Sequence, residues 1–360
     1  MGRVYNFAAG PATLPLPVLE KAKDEFLEYG STGMSVMEMS HRSKMYLEIY
    51  QQTEAAFRSV MDIPEDYAVL FLAGGATGQF AAIPMNLLPE DGIADYVDSG
   101  NFAHGAAVEA KKYGNVHIVA SSREDNYVHI PVVDVSMLDA DAAYLHITTN
   151  NTIFGTRYLS LPETGNVPLV ADASSNILSE SYDIRKFGVM YAGAQKNIGP
   201  AGMAVVIVRK DLLGHARNNT PKIFDWAKQA EADSMVNTPP TYTIYLAGLC
   251  LEWVKAQGGI AALEKVNIEK AALLYDFIDN SKLFKGTADK AYRSRMNVTF
   301  VTGDPETDND FVKAAANAGL LNLKGHRLVG GIRASIYNAM PIEGVKKLVD
   351  FMKEYEAKHV

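Results

Sequence analysis

Asp172 closes the apolar run VPLVADA, and Lys196 stands 24 residues further on in AGAQKNIGPAG, among small and amide side chains. A carboxylate at the end of an apolar strand reaches the carboxyl edge of a parallel sheet, where open α/β folds bind their ligands. A lysine with so little bulk around it is poorly placed as a solvated charge and well placed to be covered by a ligand. The two residue types fit one chemistry: an amine that condenses with an aldehyde to a Schiff base, and a carboxylate that keeps a pyridine nitrogen protonated so that the ring draws electrons. That is the chemistry of pyridoxal 5'-phosphate. On these two residues alone, a turn-capping Asp172 and a plain loop charge at Lys196 account for the pattern equally well.

A third feature favours the chemical reading. The run YAVLFLAGGATGQFAAIPMNLL reads as strand, glycine-rich turn and helix, and such a turn points backbone N–H groups at a phosphate from the positive end of the helix. The turn lacks the Gly-Lys-Ser/Thr ending of a P-loop, and GGATG lacks the spaced glycines of a dinucleotide site, which disfavours ATP and NAD. A phosphate cradle after an early strand, with Asp172 and Lys196 after later ones, is what a phosphorylated aldehyde requires.

The elements that must position these groups follow from the apolar pattern. Seven short runs (YAVLFLA, GIADYVD, NVHIVA, AAYLHIT, VPLVADA, GVMYAGA, MAVVIVR) alternate with helix-like stretches, the rhythm of βα units around a mostly parallel seven-stranded sheet. After the helical YTIYLAGLCLEWVKAQ the pattern changes at Gly258-Gly259. A long helix (IAALEKVNIEKAALLYDFIDN), strands (RMNVTFVT, RLVGGIRASI) and a final amphipathic helix outline a smaller α+β domain. The expected division is an N-terminal segment 1–15 lying on the body or a partner, a large domain 16–257 and a small C-terminal domain 258–360. The stretch MSVMEMS suggests flexible methionine packing at a dimer contact.

Composition narrows the partners. The 360 residues carry a formal net charge of -8, so no broad basic face exists for nucleic acid or an anionic membrane. An anionic small substrate would need a local cluster of Arg and His. The single cysteine, Cys250, lies in an apolar helix and reads as a buried, inert thiol. The N-terminus lacks the apolar core of a signal peptide and no run approaches a membrane span, so a cytoplasmic protein is expected. His104, His117, His129, His146 and His215 are scattered without metal-ligand spacing and are given no role.

With these residues in place, the runs MSHRSK, GGATGQFAA, the segment around Asp172, AQKNIGPAG, NTPPTYTIY and KGHRLVGGIRASIYNAM together resemble the phosphoserine aminotransferase family, class-V enzymes of pyridoxal-phosphate fold type I. The similarity runs over nearly the whole chain. It implies transamination of 3-phosphohydroxypyruvate with L-glutamate to phosphoserine and 2-oxoglutarate, as in serine biosynthesis. In some relatives it extends to 3-hydroxy-2-oxo-4-phosphobutanoate in pyridoxine biosynthesis. It also implies a homodimer whose two active sites are each built from both chains.

Position by position, the resemblance makes Lys196 the Schiff-base lysine and Asp172 the partner of the pyridine nitrogen. Ala76 and Thr77 match the phosphate turn, Thr152 (NNTIFGT) a hydroxyl beside the cofactor ring, and Gln195 a further contact. Asn237 and Thr238 match residues that reach the phosphate from the neighbouring subunit. Arg333 matches the arginine for the α-carboxylate; His41 and Arg42, with His326 and Arg327, match a basic group for the substrate's phosphate or distal carboxylate. Two positions depart. Phe102 stands where many relatives stack a Trp on the ring, and Thr77 stands where several carry an anion-gripping Arg. Without the resemblance, His41 and Arg42 would read as solvated charges opening a helix (HRSKMYLEIYQQTEAAF) and His326 as a turn residue.

Three other readings compete. Another fold-type-I transaminase would not need the basic residues beside Arg333, and a desulfurase would need a mobile catalytic cysteine, for which Cys250 is a poor candidate. A nucleotide-binding module could use GGATGQ for phosphate but would leave the protein colourless. An inactive interaction protein would have no reason to keep both Lys196 and Asp172.

Overall fold

The computed structural model describes residues 2–360. Its centre is a seven-stranded sheet formed by β1 (Tyr67–Ala73), β2 (Ile93–Asp98), β3 (Asn115–Ser121), β4 (Ala142–Thr148), β5 (Leu169–Asp172), β6 (Val189–Gly193) and β7 (Met203–Arg209). The spatial order is β1-β7-β6-β5-β4-β2-β3. All neighbours pair in parallel except β7, which runs antiparallel to both β1 and β6. The fold is the expected α/β arrangement, and the seven apolar runs are its seven strands. Because the five strands β1, β2, β4, β5 and β6 run the same way, the loops that leave them gather along one edge.

Both faces of the sheet are covered, which is why its strands are apolar on both sides rather than alternating. One face packs on α1 (Leu16–Asp24), α2 (Lys44–Met61) and α6 (Thr241–Ala256), with Ile49, Phe57, Phe71, Met190, Ile207 and Leu251 in the core. The other lies under α3 (Ala76–Leu87) and α4 (Asn101–Ala110), where Phe80, Ile83, Tyr96, Tyr144, Tyr191 and Trp226 are buried. A short helix, α5 (Trp226–Glu231), precedes α6.

Beyond Gly258 and Gly259, both left-handed (φ 91° and 79°), α7 (Ile260–Asn280), α8 (Pro305–Asn317) and α9 (Ile342–His359) pack on a three-stranded antiparallel sheet. Its strands are β8 (Lys285–Gly286), β9 (Asn297–Val301) and β10 (Ile332–Ser335). Phe284, Phe300, Phe311, Leu348 and Met352 form a separate apolar cluster there. Helix α8 was not anticipated, although its start is marked: Asp304 accepts from the Thr307 N–H at 2.9 Å, Pro305 opens the helix and Glu306 and Asp308 sit in its first turn.

Other expectations need correcting. The run RLVGGIRASI is a strand only over β10, because Gly330 and Gly331 are left-handed (φ 68° and 66°) and turn the chain just before it. His41 and Arg42 precede a helix rather than open one, since Ser43 caps α2 by accepting from the Tyr46 N–H at 3.3 Å. In MSVMEMS, Ser35 and Glu38 form a reciprocal cap and Val36 and Met39 enter the core, so only Met37 is an exposed apolar side chain there.

The N-terminal segment ties the two apolar bodies together. Tyr5–Asn6 pairs in parallel with Leu320–Leu321, and Phe7 is buried in the C-terminal cluster. Further along, the Ala12 N–H donates to the Gln195 carbonyl at 2.8 Å, beside Lys196.

Candidate functional site

The gathered loops enclose a cavity of about 290 Å³. After β1 comes Gly74, left-handed (φ 113°), then Gly75, which stands at the N-cap of α3 and brings no side chain to its first turn. The leading N–H groups of Ala76 and Thr77 are thereby left open toward the cavity at the positive end of the helix. Phe102 follows β2 at the start of α4, and Thr152 follows β4. Asp172 is the last residue of β5. Lys196 lies three residues beyond β6, in a loop held by the Lys196 and Gly199 N–H groups on the Ala194 carbonyl, each at 2.8 Å.

The lysine is poised as a nucleophile. Its Nζ donates to Thr152 Oγ1 at 2.9 Å and lies 5.7 Å from the centre of the Phe102 ring. Burial, opposed by the Asp172 charge and reinforced by Arg333, brings the ammonium down to about 8, so a useful share of neutral amine exists near neutral pH. Asp172 is buried at 5% exposure, and its Oδ1 accepts from the Ser174 N–H at 2.9 Å. Burial pushes its carboxyl above the usual range against the pull of Ser174, Lys196 and Tyr191.

Arg333 enters from β10. One guanidinium nitrogen donates to the Thr152 carbonyl at 3.2 Å, and burial lowers its pKa. His326 also lines the cavity; its Nδ1 accepts from the Leu328 N–H at 3.3 Å, and burial with the Arg333 and Arg327 charges lowers its pKa.

Of the residues singled out from sequence, the fold brings nine to this cavity: Ala76, Thr77, Phe102, Thr152, Asp172, Gln195, Lys196, His326 and Arg333. Five stand away from it. Arg42, Asn237, Thr238 and Arg327 are exposed and His41 half-buried, and none lines the cavity of its own chain. Sequence reasoning missed Ala9 and Gly10, which form one wall. Gly10 is left-handed (φ 148°), and a Cβ there would meet Gln195 Cγ at 3.5 Å and Lys196 Cε at 3.7 Å. The Gly-Pro pair in AAGPAT was the available signal for a fixed turn.

Also unforeseen is a seam of buried amides behind the lysine loop. Asn197 accepts from the Asn338 N–H at 3.0 Å, and Asn338 Nδ2 donates to the Leu178 carbonyl at 2.8 Å. Nearby, Lys270 Nζ donates to the carbonyls of Ile336, Tyr337 and Met340. The strand bearing Arg333 is thus fixed against the loop bearing Lys196.

Among the described residues no group of His, Cys, Asp and Glu is arranged to hold a metal, and no helix is long and apolar enough to cross a membrane. Cys250 is buried and burial pushes its thiol up to about 12. The donor set fits pyridoxal phosphate: a neutral-capable amine, a buried carboxylate with one oxygen free of backbone donors, an open helix N-terminus and an aromatic face.

Comparison with known proteins gives an independent line. Residues 4–348 match the aminotransferase class-V family. The chain is 50% identical over 359 residues to a phosphoserine aminotransferase of Bacillus cereus, covering all of both chains. It superposes with a TM-score of 0.97 on the phosphoserine aminotransferase of Bacillus circulans subsp. alkalophilus, at 45% identity over 99% of each chain. The Trichomonas vaginalis phosphoserine aminotransferase, solved with pyridoxal phosphate bound, gives 0.93 at 39% identity over 98% of this chain and 100% of that one.

Proposed function

We propose, from the premise that the chain belongs to the class-V aminotransferase family, that it transfers the amino group of L-glutamate to 3-phosphohydroxypyruvate, forming phosphoserine and 2-oxoglutarate with pyridoxal phosphate as cofactor. One observation carries the reading: a half-buried lysine with lowered pKa shares a single cavity with an open helix N-terminus and a buried carboxylate, in a chain alike over its full length to enzymes of that name.

Bound in this cavity, pyridoxal phosphate supplies an electron sink for negative charge at the substrate Cα. The rest belongs to the chain. Lys196 would hold the cofactor at its aldehyde carbon, and its neutral Nζ would take the substrate's Cα proton and return it. Asp172 keeps the pyridine nitrogen protonated. The N–H groups of Ala76 and Thr77 receive the phosphate, Phe102 covers the ring, and Thr152 and Gln195 hold its edge. Arg333 receives the α-carboxylate that donor and acceptor both present.

The phosphate of the keto acid and the distal carboxylate of glutamate need cations, and beyond Arg333 one chain brings to the cavity only His326, whose charge its surroundings oppose. We assign His41 and Arg42, with Arg327 beside His326, to that anion, and Asn237 and Thr238 to the cofactor phosphate, with His41, Arg42, Asn237 and Thr238 delivered by a second copy in a homodimer. The exposure of Arg42, Asn237, Thr238 and Arg327 in the single chain supports this assignment. Residues 16–257 would then be the cofactor-binding domain, 258–360 the domain that carries Arg333, and 1–15 the segment that spans them. Incubating the purified protein with glutamate and each of 3-phosphohydroxypyruvate and 3-hydroxy-2-oxo-4-phosphobutanoate, and identifying products by mass, tests the reading. Phosphoserine must form; its absence with cofactor bound sinks the assignment.

A further inference from the structure

Asp172 can hold a pyridine nitrogen protonated only while it is itself ionised, yet burial works against that charge. Its donors therefore matter. Besides Ser174, the register of the sheet sets Asp172 on β5 directly beside Tyr191 on β6, with both side chains on the face under α3 and α4. The Tyr191 hydroxyl is close enough to ease ionisation of the carboxylate. An ionised carboxylate only accepts, so a hydroxyl that eases its ionisation must present its hydrogen to it and turn its lone pairs to the next group.

That group is His146, whose Nε2 lies 2.9 Å from the Tyr191 oxygen. It sits on β4 opposite Val170, two residues before Asp172 and on the same face. Tyr191 and His146 are both fully buried. The imidazole has no acidic partner, and burial takes its pKa down to about 3, so it is neutral throughout the working range. To donate to Tyr191, Nε2 must carry the hydrogen and Nδ1 must be bare; Nδ1 is indeed the His146 atom left without a partner. Stacking of Tyr96 on the ring, 4.9 Å between centres at 21°, fixes its plane instead.

We propose that Tyr191 and neutral His146 are positioning residues for Asp172: the His146 Nε2–H locks the Tyr191 hydroxyl so that its proton points at the carboxylate, keeping Asp172 ionised and aimed at the cofactor's ring nitrogen. The inference rests on the pyridoxal-phosphate reading above. Its competitor is that the pair only packs the core between sheet and helices.

The two differ in coupling. Apoprotein is titrated with pyridoxal phosphate for wild type, Tyr191→Phe, Asp172→Asn and the double variant, with folding followed by circular dichroism. Tyr191→Phe is expected to weaken cofactor binding about tenfold, the size of one hydrogen bond to a charged group. Its kcat should fall with KM for glutamate unchanged. In the Asp172→Asn background the same change should leave affinity within about twofold, because the tyrosine acts through that carboxylate. Equal losses in both backgrounds mean packing alone and overturn the proposal. His146→Leu should reproduce the loss and His146→Gln, which keeps an N–H donor, should recover most of it. Equal losses in those two folded proteins also overturn it, and they decide the matter if Tyr191→Phe does not fold. Failure of wild-type apoprotein to bind pyridoxal phosphate would sink the parent reading and this one together.

Discussion

The two halves of the cavity are built in different ways. The cofactor half hangs from successive strand ends of one sheet: the Gly75 turn after β1, Phe102 after β2, Thr152 after β4, Asp172 at the end of β5 and Lys196 after β6. Each group follows a strand of one sheet, and Asp172 and Lys196 have shifted pKa values because the surrounding chain desolvates them. The anion half has only Arg333 and His326 in place, while Arg42 and Arg327 stand exposed. A sheet edge thus delivers chemistry that needs a fixed amine and carboxylate. On the proposed reading, recognition of a doubly charged substrate falls to surface cations that a second copy would bring to the cavity.

The largest effect tests the cofactor half. Lys196→Ala should lower phosphoserine formation by roughly 10³-fold or more, because the Cα proton transfer has lost its base. The visible absorption of the reconstituted protein should lose its pH dependence as well. Full activity in this variant would dissolve the distinction between the two halves, since the amine fixed by the sheet would then be dispensable.

Arg333 belongs to the anion half yet is fixed like the cofactor half, through the Thr152 carbonyl. Arg333→Ala is therefore expected to raise KM for glutamate and for the keto acid alike, each by roughly 10–100-fold for the loss of hydrogen bonds to a carboxylate. Steady-state kinetics with each substrate varied decides it. A defect confined to one substrate would place Arg333 on the distal group.

Legibility in the sequence divides along the same line. The seven strands were readable because two-sided burial writes continuous apolar runs, and Asp172 and Lys196 because a polar residue ending such a run is conspicuous. Helix α8 escaped because only Phe311 and Ala315 are apolar residues buried in it, too few to set a period even though its cap is plain. The strap at Ala9-Gly10, the amide seam of Asn197 and Asn338, the buried Lys270 and the Tyr191–His146 pair escaped for another reason. Each is set by a partner far away in the chain, and local pattern holds no record of such a partner. His41, Arg42, Asn237 and Thr238 were found through resemblance alone, and the geometry of one chain is silent on what they meet.

The titration of Lys196 sharpens the contrast between buried and exposed groups. Capture of pyridoxal phosphate by apoprotein needs the neutral amine, which is the form present above the pKa. With that pKa lowered to about 8, the capture rate should rise as pH increases from 7 and level off above 8, a total gain of about tenfold. Stopped-flow growth of the visible band measures it. A rate still climbing at pH 10 would show an ordinary exposed lysine.

The smallest effect addresses whether the anion half is completed by a second copy. If Arg42 serves the neighbour's cavity, a Lys196→Ala chain and an Arg42→Ala chain, each impaired as a homodimer, should complement when mixed. In the hybrid, one site takes Lys196 from the Arg42→Ala chain and Arg42 from the Lys196→Ala chain, and the other site carries both lesions. Random reassortment of equal amounts makes about half the dimers hybrid, so roughly a quarter of all sites are intact. Phosphoserine formation after co-refolding should therefore recover to about a quarter of wild type, once the parent activities are subtracted. The exposed position of Arg42 makes the outcome informative in both directions. If hybrids are confirmed by mass and activity stays at the average of the parents, Arg42 does not act across the interface, and the cations for the substrate phosphate must be sought around His326 and Arg327 of the same chain.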